Sequence, residues 1–272
     1  MRSSIHSTVE RFRQTYWRWI SQYRETVWNI THPDRVKCGI TGHSMFLDTV
    51  DTRSVALWRT RGNVNGCSLR LWQHILNLRP WTVIIDVGAN HGEMLLNVRV
   101  PADAVVFAFE PNPRLAGLLR RSFTANGLPF KVVEAAAGAA AGEVTLNVSA
   151  NWSGKSSILA MDENAGSTPV RVAQVSLAEF LAEQGFPPAP GSLAMKIDVE
   201  GYEPDVLRGL LKTIGHWSDV MIMIEMLYLP EEARAEFERH FYIGVLGPNE
   251  KLVFLAPGQY TDHQDVVLIR KG

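Results

Sequence analysis

The sequence has little cysteine, almost no net charge and no long apolar run. Its 272 residues include two cysteines, Cys38 and Cys67, and without a Cys-x-x-Cys spacing neither a disulfide framework nor a structural zinc site is expected. Lys and Arg number 27 against 28 Asp and Glu, a net charge of −1, which argues against binding nucleic acid mainly through bulk charge. Because neither a run of 18 apolar residues nor a secretory signal is present, we expect a cytoplasmic protein without a transmembrane helix.

The composition is that of an ordinary globular protein. Hydrophobic residues make up 46% and charged residues 20%, which excludes a disordered chain. The pattern changes near Trp81, where continuous apolar runs begin to alternate with amphipathic stretches. We therefore predict an N-terminal extension of helices and short strands over residues 1–80 and one larger α/β domain over residues 81–272.

Residues 1–30 combine positive charge with aromatic side chains. Five Arg and two Glu give this segment a charge of +3, and Thr31-His32-Pro33 predicts the end of a helix, since the residue before a proline disfavours the α conformation. The favoured role is to cover the larger domain or a dimer partner; the alternative is a helix that lies on an anionic membrane surface. Apolar residues recur at steps of three and four, on one helical face: Ile5, Val9, Phe12, Tyr16, Trp19, Tyr23, Val27 and Ile30.

Apolar strands alternate with helices after Trp81. Continuous apolar runs separated by helical stretches such as Arg114–Asn126 and Pro204–Ile214 indicate a buried, mostly parallel sheet. Leu252–Leu255 and Val266–Ile269 flank a turn-rich loop, and we predict that they pair as an antiparallel edge. The predicted parallel strands are Val83–Val87, Val105–Phe109, Phe130–Val133, Leu193–Ile197 and Val220–Ile224.

Acidic residues stand at the ends of three predicted strands. Glu110, Asp198 and Glu225 each follow an apolar run. Ligands of open α/β sheets bind at the carboxyl edge, where the strand order reverses. One acid at that edge is within chance, whereas three indicate a binding site.

The loop after the first long strand, residues 86–92, carries two glycines. Gly88 allows a sharp turn, and Gly92 allows a ligand to approach the backbone where the next helix begins. Eighteen residues after Gly92, Glu110 can accept hydrogen bonds from both hydroxyls of a ribose. Asn90 replaces the middle glycine of the dinucleotide fingerprint G-x-G-x-x-G, the glycine that serves a pyrophosphate. A nucleoside without pyrophosphate, such as S-adenosylmethionine (SAM), fits this loop.

Three charged residues alternate at the end of the fourth strand. The strand period of two points Lys196, Asp198 and Glu200 to one face, and buried charges need partners. Both a catalytic group and a structural ion-pair cluster account for this pattern.

Four stretches between about Val83 and Glu225 resemble the FkbM family of SAM-dependent methyltransferases: IIDVGANHGE, FAFEPNP, KIDVEGYEPDVLRG and MIMIEM. The resemblance implies a Rossmann-like class I methyltransferase sheet, SAM as the cofactor, and transfer of a methyl group to a hydroxyl of a sugar, glycolipid or polyketide-type metabolite. The chain departs from the family at Asn65-Gly66, where members often carry an aromatic residue followed by glutamate. The predicted cofactor-binding residues are Asp86, Gly88, Ala89, Asn90, Gly92, Glu110, Pro111, Asn112 and Ala136.

The predicted reaction is an in-line methyl transfer to a hydroxyl that must lose its proton. Asp198 is the first candidate for the base and Glu200 the second, while Lys196 orients them or stabilises a developing alkoxide. A Mg²⁺ ion held by Asp198 and Glu225, with water and a substrate diol, is kept as an alternative. His91 is interpreted as a loop residue that touches cofactor or solvent rather than as the base.

The polar segment Ala150–Ile158 lies between two predicted strands near residues 143–148 and 169–175. It is interpreted either as a lid over the acceptor or as an ordinary hairpin tip. As a lid, it would stack Trp152 on a sugar face and would hydrogen-bond acceptor hydroxyls through Ser156 and Ser157.

Three other functions compete with this interpretation. A nucleic-acid methyltransferase is disfavoured because the Asn/Asp-Pro-Pro-aromatic pocket of base methylation is absent after the fourth strand, and no nucleic-acid partner is expected. A non-catalytic SAM-binding scaffold is disfavoured by the three acids at strand ends. An NAD-dependent dehydrogenase is disfavoured by the missing G-x-G-x-x-G. A homodimer remains open.

Overall fold

The computed structural model describes residues 15, 19–159, 166–186, 191–226, 229–260 and 265–271. The strands in this part of the chain are β1 (Arg35–Lys37), β2 (Ser44–Phe46), β3 (Val83–Val87), β4 (Val105–Phe109), β5 (Lys131–Val133), β6 (Ala136–Gly138), β7 (Gly142–Val148), β8 (Thr168–Ser176), β9 (Ser192–Ile197), β10 (Asp219–Glu225), β11 (Phe241–Leu246), β12 (Leu252–Phe254) and β13 (Asp265–Arg270). The α-helices are α1 (19–31), α2 (Thr52–Thr60), α3 (Gly66–Asn77), α4 (Glu93–Leu96), α5 (Pro113–Ala125), α6 (Leu177–Glu183), α7 (Glu203–Leu211) and α8 (Glu231–His240).

The central sheet has eight strands in the order β12-β11-β13-β10-β9-β3-β4-β5. Strands β10, β9, β3, β4 and β5 run parallel, and Asp86 of β3 lies opposite Lys196 of β9. Every residue of β3 and β9 is buried, as continuous apolar runs predict for strands covered on both faces. The mostly parallel α/β sheet is therefore confirmed. Its strand order reverses between β3 and β9, the place where such sheets bind ligands.

The C-terminal strands pair differently from the prediction. Strand β13 does not pair with β12; it lies between β10 and β11 and runs antiparallel to both. Strand β12 is the antiparallel edge and pairs with β11. The prediction was wrong because it missed β11, which begins directly after His240, the last residue of α8, without an intervening turn. The buried Val266, Val267 and Leu268 fit the interior place of β13.

Helices cover both faces of the sheet. Helices α2, α3 and α5 lie on one face, where Trp72, Ile75 and Phe123 are buried, and α6, α7 and α8 lie on the other with Leu207 and Phe237. Helix α3 contacts β9 and β10 directly. Part of the predicted N-terminal extension therefore contributes to the main core.

A second sheet of three strands, in the order β6-β8-β7, lies beside the central one. Strands β7 and β8 pair antiparallel from Gly142 opposite Gln174 to Val148 opposite Thr168. The loop between them contains the polar segment that was predicted as a lid or a hairpin tip. The wall of the cavity described below includes four residues of this loop: Ser153, Gly154, Ser156 and Ile158.

Helix α1 packs on α2 through aromatic and polar contacts together. Trp28 is buried, and the Arg24 guanidinium lies 4.3 Å from the Trp58 ring centroid and donates a hydrogen bond to the Trp58 carbonyl. The end predicted at Thr31 is confirmed. No described helix has the length and apolar character that a membrane-spanning segment needs.

The exposed face of α1 corrects the predicted apolar stripe. Among the described members of that stripe, Trp19, Tyr23 and Ile30 are 61–75% exposed and Val27 is half-buried. Most of the described stripe therefore points to solvent, and Trp28 makes the core contact instead. The stripe residues before Trp19 lie outside the described residues. The dimer and membrane-surface roles of this helix stay predictions.

Candidate active site

A cavity of about 260 Å³ opens at the carboxyl edge of β3, β4, β9 and β10. The loop after β3 forms one wall, and the segment after β9 forms the opposite one. The N-terminal extension adds Arg53, Asn65 and Ser68 from the first turns of α2 and α3. The acids predicted at three strand ends, Glu110, Asp198 and Glu225, all line this cavity. Their convergence is confirmed, since parallel strands end at one edge.

The loop after β3 turns tightly against the segment after β9. Gly88 has φ +79, and a Cβ atom at this residue would overlap the backbone oxygen of Asp198. The Asp198 amide also donates to the Val87 carbonyl at 3.1 Å. Gly88 is therefore required both for the turn and for the close approach of two backbones.

The predicted cofactor residues divide into two groups. Asp86, Gly92 and Asn112 do not line the cavity, but each is adjacent in sequence to a residue that does. Gly92 has φ +84 at the start of α4, and its Cβ position faces Leu96 and Leu119. The close approach of a ligand to Gly92 stays a prediction. Those that line the cavity are Gly88, Ala89, Asn90, Glu110, Pro111 and Ala136.

Glu110 is held by main-chain donors on both of its carboxylate oxygens. The Asn90 amide donates to Oε2 at 2.8 Å, and the Asn112 amide donates to Oε1 at 2.9 Å. Asn112 caps α5, because its side chain accepts from the Arg114 amide. Burial raises the pKa of Glu110 to about 7, although the two amide hydrogen bonds oppose that shift.

Lys196 lies between two carboxylates of neighbouring strands. Its Nζ is 3.3 Å from Asp86 Oδ1 and 3.2 Å from Asp198 Oδ2. Burial would lower the pKa of Lys196, but Asp198 and Asp86 raise it above its ordinary value. Burial raises the pKa of Asp86 to about 6. For Asp198, burial acts in the same direction, yet Lys196 and Arg53 hold its pKa below the ordinary value. The sequence pattern predicted an ion-pair cluster of Lys196, Asp198 and Glu200. In the structure, Lys196 instead pairs with Asp86 and Asp198.

Three carboxylates crowd at the opposite wall. Asp198, Glu200 and Glu225 each offer an oxygen within 4.8 Å of the others, and Asp198 shares a side-chain hydrogen bond with Glu225. Glu200 has φ +52, a left-handed conformation that costs about 1 kcal/mol in a residue with a Cβ. Burial, followed by repulsion from Asp198 and Glu225, raises the pKa of Glu200 to about 8. Its carboxyl group therefore changes protonation near neutral pH.

Comparison with known families gives a match to the methyltransferase FkbM domain over residues 86–248. This match covers more than half of the chain and includes the loop after β3, Glu110 and the strand ends of β9 and β10. The chain belongs to the FkbM methyltransferase family. Methyl transfer is thus the chemistry of its family, and the cavity at the switch point is where the FkbM fold brings its polar residues together.

The solved structures to which this FkbM chain is similar share little sequence identity with it. The precorrin-6y C5,15-methyltransferase of Geobacter metallireducens is 14% identical, with 75% of this chain and 88% of that chain covered and a TM-score of 0.37. A tRNA (uracil-54, C5)-methyltransferase of Pyrococcus abyssi is 10% identical, with 88% and 45% covered and a TM-score of 0.45. An rRNA methylase of Streptococcus thermophilus is 10% identical, with 74% and 93% covered and a TM-score of 0.35. None of the curated protein sequences compared with the chain matches it.

Two side-chain pairs at the cavity were missed by sequence reasoning. Arg53 forms an ion pair with Glu93, and Ser68 donates a hydrogen bond to Asp265. Arg53, Ser68 and Asp265 lie outside the residues that match the FkbM domain. No local pattern marks them, because each pair joins segments that are far apart in sequence. In the structure, the register of β13 sets Asp265 opposite Glu225, and this was missed because β13 was predicted to pair with the wrong strand.

His91, Ser156 and Ser157 form hydrogen bonds within the protein itself. His91 is fully buried; its Nε2 is 3.1 Å from Ser54 Oγ and its Nδ1 is 2.6 Å from Asn90 Oδ1. The expectation that His91 touches cofactor or solvent is therefore not met, and burial lowers its pKa. Ser157 Oγ donates to the Glu200 carbonyl at 2.7 Å, and Ser156 Oγ accepts from the Ser149 amide. Both serine hydroxyls thus hold the loop.

Proposed function

We propose that this chain binds SAM in the cavity and transfers its methyl group to a hydroxyl of a sugar, glycolipid or polyketide-type metabolite. The observation that carries the proposal is the meeting of two unlike sets of acids in one cavity. Glu110, held by main-chain amides, lies on one side, and the crowded Asp198, Glu200 and Glu225 lie on the other.

The side of the cavity around Glu110 fits the nucleoside end of SAM. A carboxylate has about four acceptor positions, and main-chain amides occupy two of them in Glu110. The remaining positions are available to the two ribose hydroxyls. Asn90 in place of a glycine suits a ligand without pyrophosphate. The carboxyl group lines the cavity while only 5% of the residue is exposed, so a hydrogen bond formed there is shielded from water.

Bound SAM supplies a methyl group on a positively charged sulfur, an already activated donor. The chain has to align the acceptor hydroxyl and take up its proton. Alignment is worth about 7–11 kcal/mol of barrier in favourable models. Glu200 suits the proton-accepting role better than Asp198, because a base works best with a pKa near the working pH. Asp198, ionised through Lys196, instead holds Lys196 in place and faces the acceptor as a fixed negative charge.

The charge of the cavity wall supports a neutral or cationic acceptor. Acids outnumber cations among the lining residues, so a phosphorylated or carboxylated acceptor would be repelled. The same excess opposes a nucleic-acid substrate. The acids are Glu93, Glu110, Asp198, Glu200, Glu225 and Asp265, and the cations are Arg53 and Lys196.

The test begins with the cofactor. Calorimetric titration of the purified chain with S-adenosylhomocysteine (SAH) and, separately, with NAD is expected to show binding of SAH alone; binding of NAD without SAH would overturn the proposal. A panel of neutral sugars, amino sugars, uronic acids and oligonucleotides then follows, with SAH release as the readout. We expect turnover with neutral or amino sugars. Tight SAH binding without turnover of any neutral polyol would favour the scaffold alternative.

A Mg²⁺-dependent form of the reaction is the second candidate. Asp198, Glu200 and Glu225 together offer the oxygen ligands that a divalent cation prefers, one carboxylate more than the sequence pattern indicated. If the ion is required, EDTA abolishes methyl transfer and added Mg²⁺ restores it. Unchanged turnover in EDTA would remove the ion and leave Glu200 to act alone.

A further inference from the structure

One wall of the cavity includes Arg53, a residue of the N-terminal extension. Arg53 lies in the first turn of α2, and its guanidinium forms an ion pair with Glu93 of α4. Only 18% of the Arg53 side chain and 9% of the Glu93 side chain are exposed. Breaking a buried pair leaves an uncompensated charge, so this contact fixes the position of the guanidinium firmly.

The start of α2 also holds the Trp152 loop, which we define as residues 149–158. The Thr52 amide donates to the Asn151 carbonyl at 3.0 Å, and the Ser153 amide donates to Asp51 Oδ1 at 3.2 Å. The Arg53 guanidinium lies 5.8 Å from the Trp152 ring centroid. Three consecutive residues, 51–53, therefore contact the loop, and the last of them also pairs with a residue that follows the loop after β3.

The Trp152 loop in turn touches both sides of the cavity. Ser153 Oγ donates to Asn90 Oδ1 at 3.1 Å, and the Asn90 amide donates to Glu110. At its other end, Ser157 Oγ donates to the Glu200 carbonyl. The loop thus connects the residues proposed to hold the cofactor with the residue proposed to accept the proton.

The packing between the loop and Arg53 leaves no spare volume. A Cβ atom on Gly154 would overlap Arg53 Nη1 and lie 2.8 Å from Trp152 Nε1. A guanidinium suits this position because its planar fork can pair with a carboxylate while its face lies towards an aromatic ring. A lysine ammonium would keep the charge but lose this double contact.

We propose that Arg53 is a positioning residue that latches the Trp152 loop over the cavity, so that closure of the loop and binding of the cofactor favour each other. The first part rests on the Arg53, Glu93 and Trp152 contacts; the coupling rests also on the proposed function. A ligand that orders Asn90 and Glu110 stabilises the Ser153 contact, and by linkage the closed loop tightens binding of the ligand by the same factor.

The experiment is limited trypsin digestion of the full chain, with and without saturating SAH. Lys155 is exposed in the middle of the loop, and its cleavage reports transient opening. Cleavage after Lys251, in the turn between β11 and β12, serves as the internal reference. Mass spectrometry measures both rates in the wild type, Arg53→Gln, Arg53→Lys and the control Arg59→Gln, which lies on the same helix and pairs with Glu25 at the surface.

We expect Arg53→Gln to speed ligand-free cleavage after Lys155 by about tenfold, the size expected for the loss of one charge-assisted hydrogen bond. We expect Arg53→Lys to fall between this variant and the wild type, and Arg59→Gln to match the wild type. SAH should slow the cleavage several-fold in the wild type and less than about twofold in Arg53→Gln. The SAH dissociation constant should rise by the protection factor that is lost.

Two further variants keep the test decisive if Arg53→Gln fails to fold. Arg53→Gln with Glu93→Gln removes both charges together, and Gly154→Ala displaces the guanidinium while leaving both partners present. If Arg53 acts through the loop, adding Gly154→Ala to the Arg53→Gln/Glu93→Gln variant increases cleavage no further.

Folded Arg53 variants with wild-type cleavage after Lys155 would overturn the latch. Equal protection by SAH in wild type and variants would overturn the coupling. A wild-type chain that does not bind SAH contradicts the proposed function and with it the coupling, whereas the ligand-free digests still decide whether Arg53 holds the loop.

Discussion

The two sides of the cavity use acidic side chains in opposite ways. On the side proposed to bind the cofactor, which we call the cofactor side, each oxygen of Glu110 accepts a main-chain N–H. On the side proposed to bind the acceptor, which we call the acceptor side, Asp198, Glu200 and Glu225 crowd one another. The first arrangement holds the Glu110 carboxyl group in one geometry before a ligand binds. In the second arrangement, mutual repulsion makes the protonation state of Glu200 sensitive to whatever enters the cavity.

The two sides differ because the partners of the carboxyl groups are main-chain amides on one side and side chains on the other. The amides that hold Glu110 belong to Asn90 and Asn112, which stand in turns next to two neighbouring parallel strands. The carboxylates of the acceptor side come from the ends of β9 and β10 and meet side chain to side chain. Backbone partners impose one geometry on Glu110, whereas the charged side-chain partners of Glu200 add to the effect of burial and raise its pKa further.

The largest expected effect breaks the acceptor side. Glu200→Gln should lower kcat by about 10²–10⁴, the contribution typical of a general base, because the amide cannot take up the acceptor proton. In the wild type, kcat/KM should rise with pH through about 8, since this ratio reports the ionisation of Glu200 in the free protein, and this rise should vanish in the variant. Initial rates between about pH 6 and 9 measure both quantities.

Asp198→Asn and Glu183→Gln complete that experiment. Asp198→Asn should lower kcat yet keep the rise with pH, and the exposed Glu183 on α6 should leave kcat unchanged when replaced. A full loss of the pH dependence in Asp198→Asn, with Glu200→Gln fully active, would exchange the two roles.

A smaller effect is expected on the cofactor side. Glu110→Gln should weaken SAH binding by about 10–100-fold, because a hydrogen bond to a charged group is lost and one main-chain amide then faces an amide NH₂. The pKa of Glu110 is about 7, and a ribose hydroxyl donates best to the ionised carboxylate. SAH affinity of the wild type should therefore rise with pH through about 7 and stay flat in the variant.

Titration calorimetry at several pH values makes this measurement. Glu134→Gln is the matched control, since Glu134 directly follows the neighbouring strand β5 and pairs with Arg120 at the surface. If both variants weaken SAH binding equally, the cofactor would not contact Glu110.

The smallest expected effect is on stability. In the unfolded chain a glutamate has a pKa of about 4.3, and in the folded chain Glu200 has a pKa of about 8. The folded state therefore binds more protons between these values, and its stability falls as the pH rises through this range. Glu200→Gln removes that loss. We expect its Tm to exceed that of the wild type by about 2–4 °C at about pH 9 and to equal it at about pH 4, for a screened contribution of about 1 kcal/mol.

Thermal melts at the two pH values test this expectation. Glu200→Gln is also expected to lower kcat. A gain in stability together with a loss of activity would show that the crowded carboxyl groups of the acceptor side support catalysis at the expense of stability. An equal Tm difference at both pH values would remove the titration of Glu200 as the cause.

The sequence predicts the parallel strands, the acids at their ends and the loop after β3, because each is a local pattern of apolar runs, glycines and charges. It does not predict β11, which lacks a turn before it, or the exposed orientation of Trp19 and Tyr23. Arg53 and Asp265 reach the cavity through tertiary packing alone, from positions before and after the segment that carries the FkbM motifs. The spacing of apolar and polar residues along the sequence does not show which distant segments pack together.

Gly88 gives the cavity a further property. At this residue the backbones of two walls of the cavity touch with no room for a methyl group. A randomised library selected for activity should return glycine alone at codon 88, while codon 117, where a methyl group would meet nothing within 4 Å, should accept alanine freely. Substitutions can therefore change the loops around the switch point of the sheet, but they cannot replace the glycine at which the two walls meet.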